Sequence, residues 1–549
     1  MNTDESIGEN LCPSVAKAVA SFVLSSVRRR SFRRSYMKHQ VVPETLGLLV
    51  LLTFSPPALA ERINQEGRIL GPLPVVTNAI LFNTSNADAV VAAMQIFPVT
   101  NPWNEDISQR PVLSNSTAMM AQIVTDLGAS RAVLTPEYEM NFVLVPDNQP
   151  RVLIDFFNYP DESDLNGGTY PDGLYPIPPN LPIEEWPVGT GTQTLYQWQT
   201  NADGSDRHAI MVAPGGGFIW ETWLTQLAGT NWEASNGAEF NLNTNGLRPA
   251  GWTSGDAAGF PMFSALVRYD EAERGMVEHA CRIVVKRSRY NTYIYPATHY
   301  AAPSGNTNVN LPSMGQRLRL KAGFVIPAGW TKEEKAVLAG LKKYGAMVAD
   351  NGNYFSISVT PDDRWPANCF NDLTGISATN FEVIQTTGPA EGPRSPGAPV
   401  ASAGPDQTVP VGVPVTLPGA VSYLNPPPAI SWKLYSGPGT VTFGNAALTN
   451  TPATFSAPGV YTLELSAADG VHAVAYDAAI YTATSAINLS ITPAGTNVIL
   501  SWTGGTAPFV VQETGALPAG SWSNVVTTNV QSVSLPVMGT PDFFRIQGQ

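Results

Sequence analysis

Charged residues, cysteines and histidines are all scarce in this 549-residue chain. Only 14% of the residues are charged, and the chain has three cysteines and five histidines. It contains no C-x-x-C pair, no H-E-x-x-H motif, no G-x-S-x-G elbow, no Walker loop and no dinucleotide fingerprint. These absences exclude the usual zinc, hydrolase and nucleotide signatures, so any chemistry must come from individual carboxylates, histidines and aromatic side chains.

Glycine and proline are plentiful, at 47 residues each, and they favour short strands joined by turns. The chain is too long for one hydrophobic core. We therefore predict a mainly β protein of several domains. A central β-sandwich domain with a few short helices is expected at residues 61–388. A linker at 389–399 and two small immunoglobulin-like sandwiches at 400–484 and 485–549 are expected to follow.

The first 60 residues have the pattern of a secretory signal peptide. A basic region at residues 28–38 precedes an apolar run at 45–54, and Ala58-Leu59-Ala60 is a small-x-small cleavage pattern. The run is too short to span a membrane. We predict export with cleavage after Ala60, and a start at Met37 would make residues 1–36 a mis-assigned extension. In an exported chain Cys281 and Cys369 either form a disulfide or remain separate buried thiols.

Removal of the leader would make the chain strongly acidic. It would leave 24 Lys/Arg and 40 Asp/Glu side chains, a net charge of −16. Such a surface repels nucleic acid and anionic membranes. We therefore expect no nucleic-acid partner, no membrane span and a monomer with a polysaccharide as ligand or substrate, and we predict no cofactor.

The stretch at residues 205–224 predicts a β-hairpin with a Pro-Gly-Gly-Gly turn. A two-residue turn at Gly215 and Gly216 would place Ile210 opposite Glu221. Because side chains alternate across a strand, Asp206, His208, Glu221 and Trp223 would then share one face. A one-residue slip of register would break this group. Two carboxylates and an imidazole beside a Trp could perform acid–base chemistry or simply form a solvated sheet face.

Other candidate residues lie before and after the hairpin. Residues 159–191 form a long Pro- and Tyr-rich loop whose Tyr170 and Trp186 could stack on sugar rings or hold the loop to the core. Residues 246–269 are Gly-rich, with a charged pair and a Trp that would suit a polar ligand. His279 lies in an alternating strand, and His299 follows a short strand. These candidates are Arg248, Trp252, Asp256, His279 and His299.

Residues 400–484 open with A-G-P-D-Q-T-V-P-V-G-V-P-V-T-L and close with A-P-G-V-Y-T-L-E-L-S-A-A-D-G. This pair of motifs resembles PKD-type immunoglobulin-like modules, and the resemblance implies an extracellular spacer or adhesion module without catalysis. Residues 485–549 resemble fibronectin-III-like tail modules of exported enzymes. In the central part, pieces such as S-D-R-H-A-I-M-V and G-L-R-P-A-G-W-T-S-G-D resemble an uncharacterised family of exported bacterial proteins, which implies no particular reaction.

Three functional hypotheses follow from these patterns. The first is an exported glycoside hydrolase with Asp206 and Glu221 as the acid and base pair and Asp256 as the alternate carboxylate. His208 and His279 would assist, and the substrate would contact Trp223, Arg248, Trp252, His299, Tyr170 and Trp186. The second is a metal-dependent enzyme that uses His208, His279 and His299. The third is a glycan-binding or adhesion protein without catalysis.

Overall fold

The computed structural model describes residues 61–164, 174–201, 205–424, 426–517, 521–536 and 543–548. The predicted leader and Tyr170 lie outside this range. The protein is mainly β with a few short helices, so the predicted fold class is confirmed.

The strands before residue 388 are short, as the density of turn residues predicts. They are β1 (Ile80–Leu81), β2 (Leu134–Tyr138), β3 (Val143–Leu144), β4 (Val152–Phe156), β5 (Leu174–Tyr175), β6 (Ala209–Ala213), β7 (Phe218–Trp223), β8 (Gln226–Ala228), β9 (Asn231–Ala234), β10 (Asn236–Asn241), β11 (Cys281–Val285), β12 (Arg317–Leu320), β13 (Ala346–Asn351), β14 (Phe355–Val359) and β15 (Phe381–Val383).

The helices are equally short. They are α1 (Ser85–Ala92), α2 (Ser116–Leu127), α3 (Leu195–Thr200), α4 (Tyr269–Arg274) and α5 (Lys332–Lys343), with 3₁₀ turns at Pro102–Asn104, Pro160–Glu162, Phe263–Ala265, Asn371–Gly375, Ala378–Asn380 and Gly392–Arg394. A capping box is present at α5. The Thr331 hydroxyl accepts the backbone N–H of Glu334, whose carboxylate accepts the N–H of Thr331.

Two sheets of the central part pack face to face as a sandwich. One has the strand order β1-β3-β6-β7-β10 and the other has the order β5-β4-β9-β8. Apolar side chains from both sheets, among them Met211, Trp220, Phe156 and Trp232, form the core between them. The predicted central sandwich is therefore present, but it accounts for only part of this region.

A second mixed sheet lies beyond the sandwich. Its order is β11-β13-β12-β15, with β11 and β13 parallel, and the parallel pair β14-β2 accompanies it. The larger core of the chain packs around these strands and helices α1, α2 and α5. This core also contacts one face of the hairpin through Ile210, Val212 and Ile219.

The hairpin formed by β6 and β7 has the predicted register. Ile210 pairs with Glu221 and Ala213 pairs with Phe218, with Pro214 to Gly217 as the turn. Alternate residues face the two cores, because Met211 packs in the sandwich core and Ile210 in the larger one. The face that carries the candidate residues is thus covered by protein along most of its length and is open only at its far end.

The C-terminal part consists of two further β units, each with its own core. The first contains β16 (Val400–Ser402), β17 (Gln407–Pro410), β18 (Val415–Pro418), β19 (Ala420–Ser422), β20 (Ala429–Ser436), β21 (Val441–Phe443), β22 (Asn450–Phe455), β23 (Gly459–Ala468) and β24 (Ala475–Thr484) around Trp432 and Tyr461. The second contains β25 (Asn488–Ala494), β26 (Asn497–Thr503), β27 (Phe509–Thr514), β28 (Ser523–Thr528), β29 (Ser532–Pro536) and β30 (Phe543–Gln547) around Trp502.

Cys281 and Cys369 are both buried free thiols, so the structure follows the second of the two alternatives for this pair. Burial raises the pKa of Cys281 to about 12. Every helix in the described ranges is too short or too polar to cross a lipid bilayer.

Candidate functional site

The candidate site lies at the open end of the hairpin. Trp223, the last residue of β7, donates its indole N–H to Asp206 Oδ1 at 3.4 Å. His208 immediately precedes β6 and lies on the same face. Three of the four residues predicted to share this face therefore come together here, and Glu221 lies further along the same face.

A cavity of about 350 Å³ opens beside these residues, within the size range of small-ligand sites. Four of the predicted site residues line it: Asp206, His208, Trp223 and His299. Its other lining residues are Tyr159, Thr253, Ser254, Gly255, Ala257, Ala301, Asp350 and Asn351.

His208 forms a buried ion pair in the cavity wall. Its Nδ1 lies 2.8 Å from Glu184 Oε2, and its Nε2 lies 2.7 Å from the carbonyl oxygen of Gly255. Both partners are acceptors, so both ring nitrogens carry a proton. Burial opposes the charge, but Glu184 raises the pKa of His208 to about 9. With both nitrogens engaged, His208 shapes the wall and is not a free acid or base, which corrects its predicted catalytic role.

The absence of a side chain at Gly255 leaves room for the Met262 side chain beside this contact. A methyl group on Gly255 would lie 2.6 Å from Met262 Cε and 3.4 Å from His208 Cδ2. Only glycine therefore allows the chain to approach His208 this closely without displacement of Met262.

A second buried ion pair lies beneath the cavity. Arg282 donates to both carboxylate oxygens of Asp256, at 3.0 and 3.1 Å, and the Asp256 side chain is 0% exposed. The predicted role of Asp256 as an alternate catalytic carboxylate is therefore corrected, because its oxygens are held by Arg282 and do not line the cavity. Buried charges are costly to maintain, and their concentration under a cavity is typical of functional sites.

Asp350 is a further carboxylate in the cavity wall. It lies near the end of β13 at a β-bulge. Ile283 of β11 pairs with Val348, but the next residue, Val284, pairs with Asp350. Bulges of this kind redirect side chains next to active sites. Burial and the nearby Asp256 carboxylate raise the pKa of Asp350 to about 7, against the opposing charge of Arg282.

Among the histidines that the structure describes, His299 has a ring nitrogen available to a ligand. Its Nδ1 lies 2.8 Å from the carbonyl oxygen of Ala257, so Nδ1 carries a proton and donates it. Within the described part of the chain, Nε2 has no hydrogen-bond partner. In its neutral form His299 therefore presents a lone pair at the cavity wall.

Tyr159 was missed by the sequence analysis and adds an aromatic surface. Its ring centroid lies 6.1 Å from that of Trp223, with an interplanar angle of 33°. The side chain belongs to the loop that was predicted to stack on sugars, but it is a different member of that loop. Its exposure of 42% leaves ring surface open to a ligand.

The hairpin backbone is strained where it meets the cavity. Arg207 and Leu224 have φ angles of 49° and 53°, in the left-handed region that non-glycine residues rarely occupy. They flank His208 and Trp223, respectively. Strain of this kind concentrates at ligand sites, because the surrounding packing has to maintain it.

Glu221 does not reach the cavity. Its carboxylate is 0% exposed and accepts the backbone N–H groups of Met262 and Phe263, both at 2.9 Å. It thereby anchors the start of the 3₁₀ turn Phe263–Ala265. Burial raises its pKa to about 7, and the two N–H groups oppose that shift. Glu221 is thus a buried structural anchor, and the predicted pairing of Asp206 with Glu221 as catalytic carboxylates does not fit the geometry.

His279 lies in a different part of the molecule. Its Nε2 is 3.1 Å from Glu271 Oε2 and its Nδ1 is 2.8 Å from the carbonyl oxygen of Ala280. It therefore cannot join His208 and His299 at one metal ion. Across the described ranges, no group of three or more His, Cys, Asp or Glu side chains could hold a metal. The hypothesis of a metal-dependent enzyme was wrong in its ligand set.

Three other candidates stabilise loops. Arg248 pairs with Asp164 at 2.5 Å, and its guanidinium lies 5.4 Å from the centre of the Trp252 ring. Trp186 packs against both cores of the central part, and its carbonyl oxygen accepts the Asn141 side-chain N–H at 2.9 Å. None of these three predicted ligand-binding residues lines the cavity. The fourth loop candidate, Tyr170, is outside the described residues.

Comparison with known proteins gives little further information. No protein-family model matches the chain, and no curated protein is similar to it. The predicted resemblance to an exported bacterial family therefore has no support here.

Solved structures that match in part include PKD and immunoglobulin-like domains. The chain shares 24% identity with the PKD domain of the KIAA 1837 protein, over 17% of this chain and 92% of that one, with a TM-score of 0.15. It shares 15% identity with a titin fragment, over 27% of this chain and 60% of that one, with a TM-score of 0.17. An intimin fragment matches at 10% identity over 27% and 98% of the two chains, with a TM-score of 0.18. TM-scores this low carry no argument about function.

Proposed function

We propose that this chain is an exported carbohydrate-binding protein that holds a neutral glycan in the cavity at the end of the β6–β7 hairpin. The observation that carries the proposal is the pairing of Tyr159 and Trp223 beside the carboxylate of Asp206. Aromatic faces bind the C–H faces of sugars, and neighbouring carboxylate and amide groups bind hydroxyl groups. The acidic lining disfavours anionic ligands.

The test uses residues 61–549 against a panel of neutral and anionic polysaccharides, with binding measured by affinity electrophoresis and then by calorimetry. Tyr159→Ala and Trp223→Ala should each weaken binding by about tenfold, a loss on the order of 1 kcal/mol. Tyr196→Ala is the matched control, because Tyr196 is exposed but does not line the cavity. Equal affinity in wild type and the Tyr159→Ala/Trp223→Ala double variant would refute the proposal.

Hydrolysis at the same cavity is the second candidate, and a specific observation favours it. Asp350 and His299 line the same cavity. Because burial and the Asp256 carboxylate raise the pKa of Asp350, to about 7, its carboxyl group could donate a proton near neutral pH, and His299 Nε2 could accept one. Release of reducing ends from a bound glycan, with loss of release but not of binding in Asp350→Asn, would establish this activity. Binding without release in wild type would leave the protein as a binding protein.

A further inference from the structure

The first C-terminal unit, strands β16–β24, contacts the central part of the chain through an N-terminal hairpin. In this hairpin Leu70 donates its backbone N–H to Arg62, and Ile63 bridges Ile69. The hairpin is held to the central part by Arg68, which pairs with Glu278 at 2.8 Å. The turn of this hairpin therefore packs on the central part and faces the C-terminal unit.

The same hairpin lies directly against the C-terminal unit. Ile69 donates its backbone N–H to the Tyr435 hydroxyl at 3.1 Å. Gly67 has a φ of 72°, and a methyl group there would lie 2.8 Å from the ring of Tyr476 and 2.9 Å from Glu464 Oε1. A side chain at Gly67 would therefore displace the Tyr476 ring and the Glu464 carboxylate of the C-terminal unit.

The chain segment that joins the two parts is also fixed. Arg394 lies in this segment with a side chain only 4% exposed, and its Nη2 pairs with Glu105 at 3.0 Å. Its Nη1 donates to the carbonyl oxygen of Thr100 at 2.9 Å. A stretch predicted as a linker from its Pro and Gly content therefore has a buried arginine that is anchored in the central part.

Ser395, His472 and Asp469 form a further clamp at this point. Ser395 Oγ lies 3.0 Å from His472 Nε2, and His472 Nδ1 lies 2.6 Å from Asp469 Oδ2. The order is that of a hydrolase triad, but Ser395 Oγ donates to the carbonyl oxygen of Gly392 at 2.7 Å, which takes its proton away from the imidazole. The trio joins the connecting segment to the loop before β24.

We propose that the N-terminal hairpin, Arg394 and the His472 clamp hold the β16–β24 unit as a fixed platform on the central part. The orientation of the ligand cavity relative to the β16–β24 unit is then fixed, and the unit is not a freely moving spacer. This inference does not depend on what the cavity binds.

The test is tryptic cleavage of residues 61–549 after Arg394, followed by mass spectrometry, together with small-angle scattering. In wild type this bond should be protected. Gly67→Ala should raise its cleavage rate by about tenfold and increase the maximum dimension of the particle, because opening of the contact exposes the segment.

Gly71→Ala is the matched control. Gly71 also has a positive φ, of 50°, but a methyl group there meets nothing within 4 Å. The control should be cleaved at the wild-type rate. If Gly67→Ala does not fold, Tyr435→Phe serves in its place, with exposed Tyr423→Phe as its control. Rapid cleavage after Arg394 in wild type, or equal effects of each variant and its control, would overturn the proposal.

Discussion

The ring of His208 and the carboxylate of Glu184 form a charged pair, 2.8 Å apart, and His208 lies in the wall of the ligand cavity. The backbone N–H of His208 also donates to the same Glu184 oxygen, at 3.1 Å. In return, Glu184 donates its own backbone N–H to the His208 carbonyl oxygen at 2.8 Å.

This pair predicts a loss of stability at high pH. The pKa of His208 is raised from 6.5 to about 9 in the folded protein, so its stabilisation is complete below pH 6.5 and disappears as the pH rises through 9. The corresponding change in the free energy of unfolding is on the order of 3 kcal/mol. Urea unfolding at pH 6, 7.5 and 9.5 measures it. Glu184→Gln should remove the His208 contribution to this pH dependence of the free energy of unfolding, whereas Glu513→Gln in the last β unit should not. An unchanged pH dependence in Glu184→Gln would contradict the assignment.

Glu221→Gln should destabilise the fold without loss of ligand binding. The single amide oxygen can replace only one of the two carboxylate oxygens that accept the backbone N–H groups of Met262 and Phe263. The amide NH₂ group would then face the other N–H donor. We expect a loss of about 1–3 kcal/mol in the free energy of unfolding at pH 8. Glu233→Gln, on a partly exposed strand position, is the control. Weaker ligand binding at unchanged stability would instead place Glu221 in the site.

The same Asp→Asn change should lower mainly stability at Asp256 and mainly ligand binding at Asp206. Asp256→Asn removes the bidentate partner of the buried Arg282 and leaves it only Asp350, at 3.8 Å, so it should cost about 3–5 kcal/mol of stability. Asp206→Asn alters an exposed side chain and should change stability by less than about 0.5 kcal/mol, but it should weaken ligand binding. Thermal unfolding and calorimetry measure the two quantities. Lower stability in Asp206→Asn and weaker ligand binding in Asp256→Asn would show that the ligand cavity has been assigned to the wrong residues.

The two buried thiols should resist modification in the folded protein. Burial raises the pKa of Cys281 to about 12 and that of Cys369 to about 11, so little reactive thiolate forms at neutral pH. We expect iodoacetamide to label both residues in urea and neither one quickly in buffer. Labelling in urea that requires prior reduction would instead reveal a disulfide between them.

The hairpin could be predicted because its determinants are local. Turn residues and strand alternation fix Ile210 opposite Glu221, and the same alternation brings Asp206, His208 and Trp223 to one face. The start of α5 has an equally local determinant, since the capping box of Thr331 and Glu334 lies within four residues.

The surroundings of these residues could not be predicted in this way. Glu221 is covered by Met262 and Phe263, about forty positions further along the chain, and His208 meets a carboxylate about two dozen positions before it. Asp350 lines the cavity at a bulge in β13, where the strand pairing changes register. Such contacts depend on how separate elements pack, which a local pattern does not encode.

The parallel pairing of β2 with β14 sets the order in which this protein can assemble. Leu134 has Phe355 as its partner, more than two hundred positions later, so β2 remains an unsatisfied edge until nearly the whole central part has left the ribosome. Closure of so long a loop makes folding slow, and the edge of β2 stays open to other chains until its late partner strand arrives.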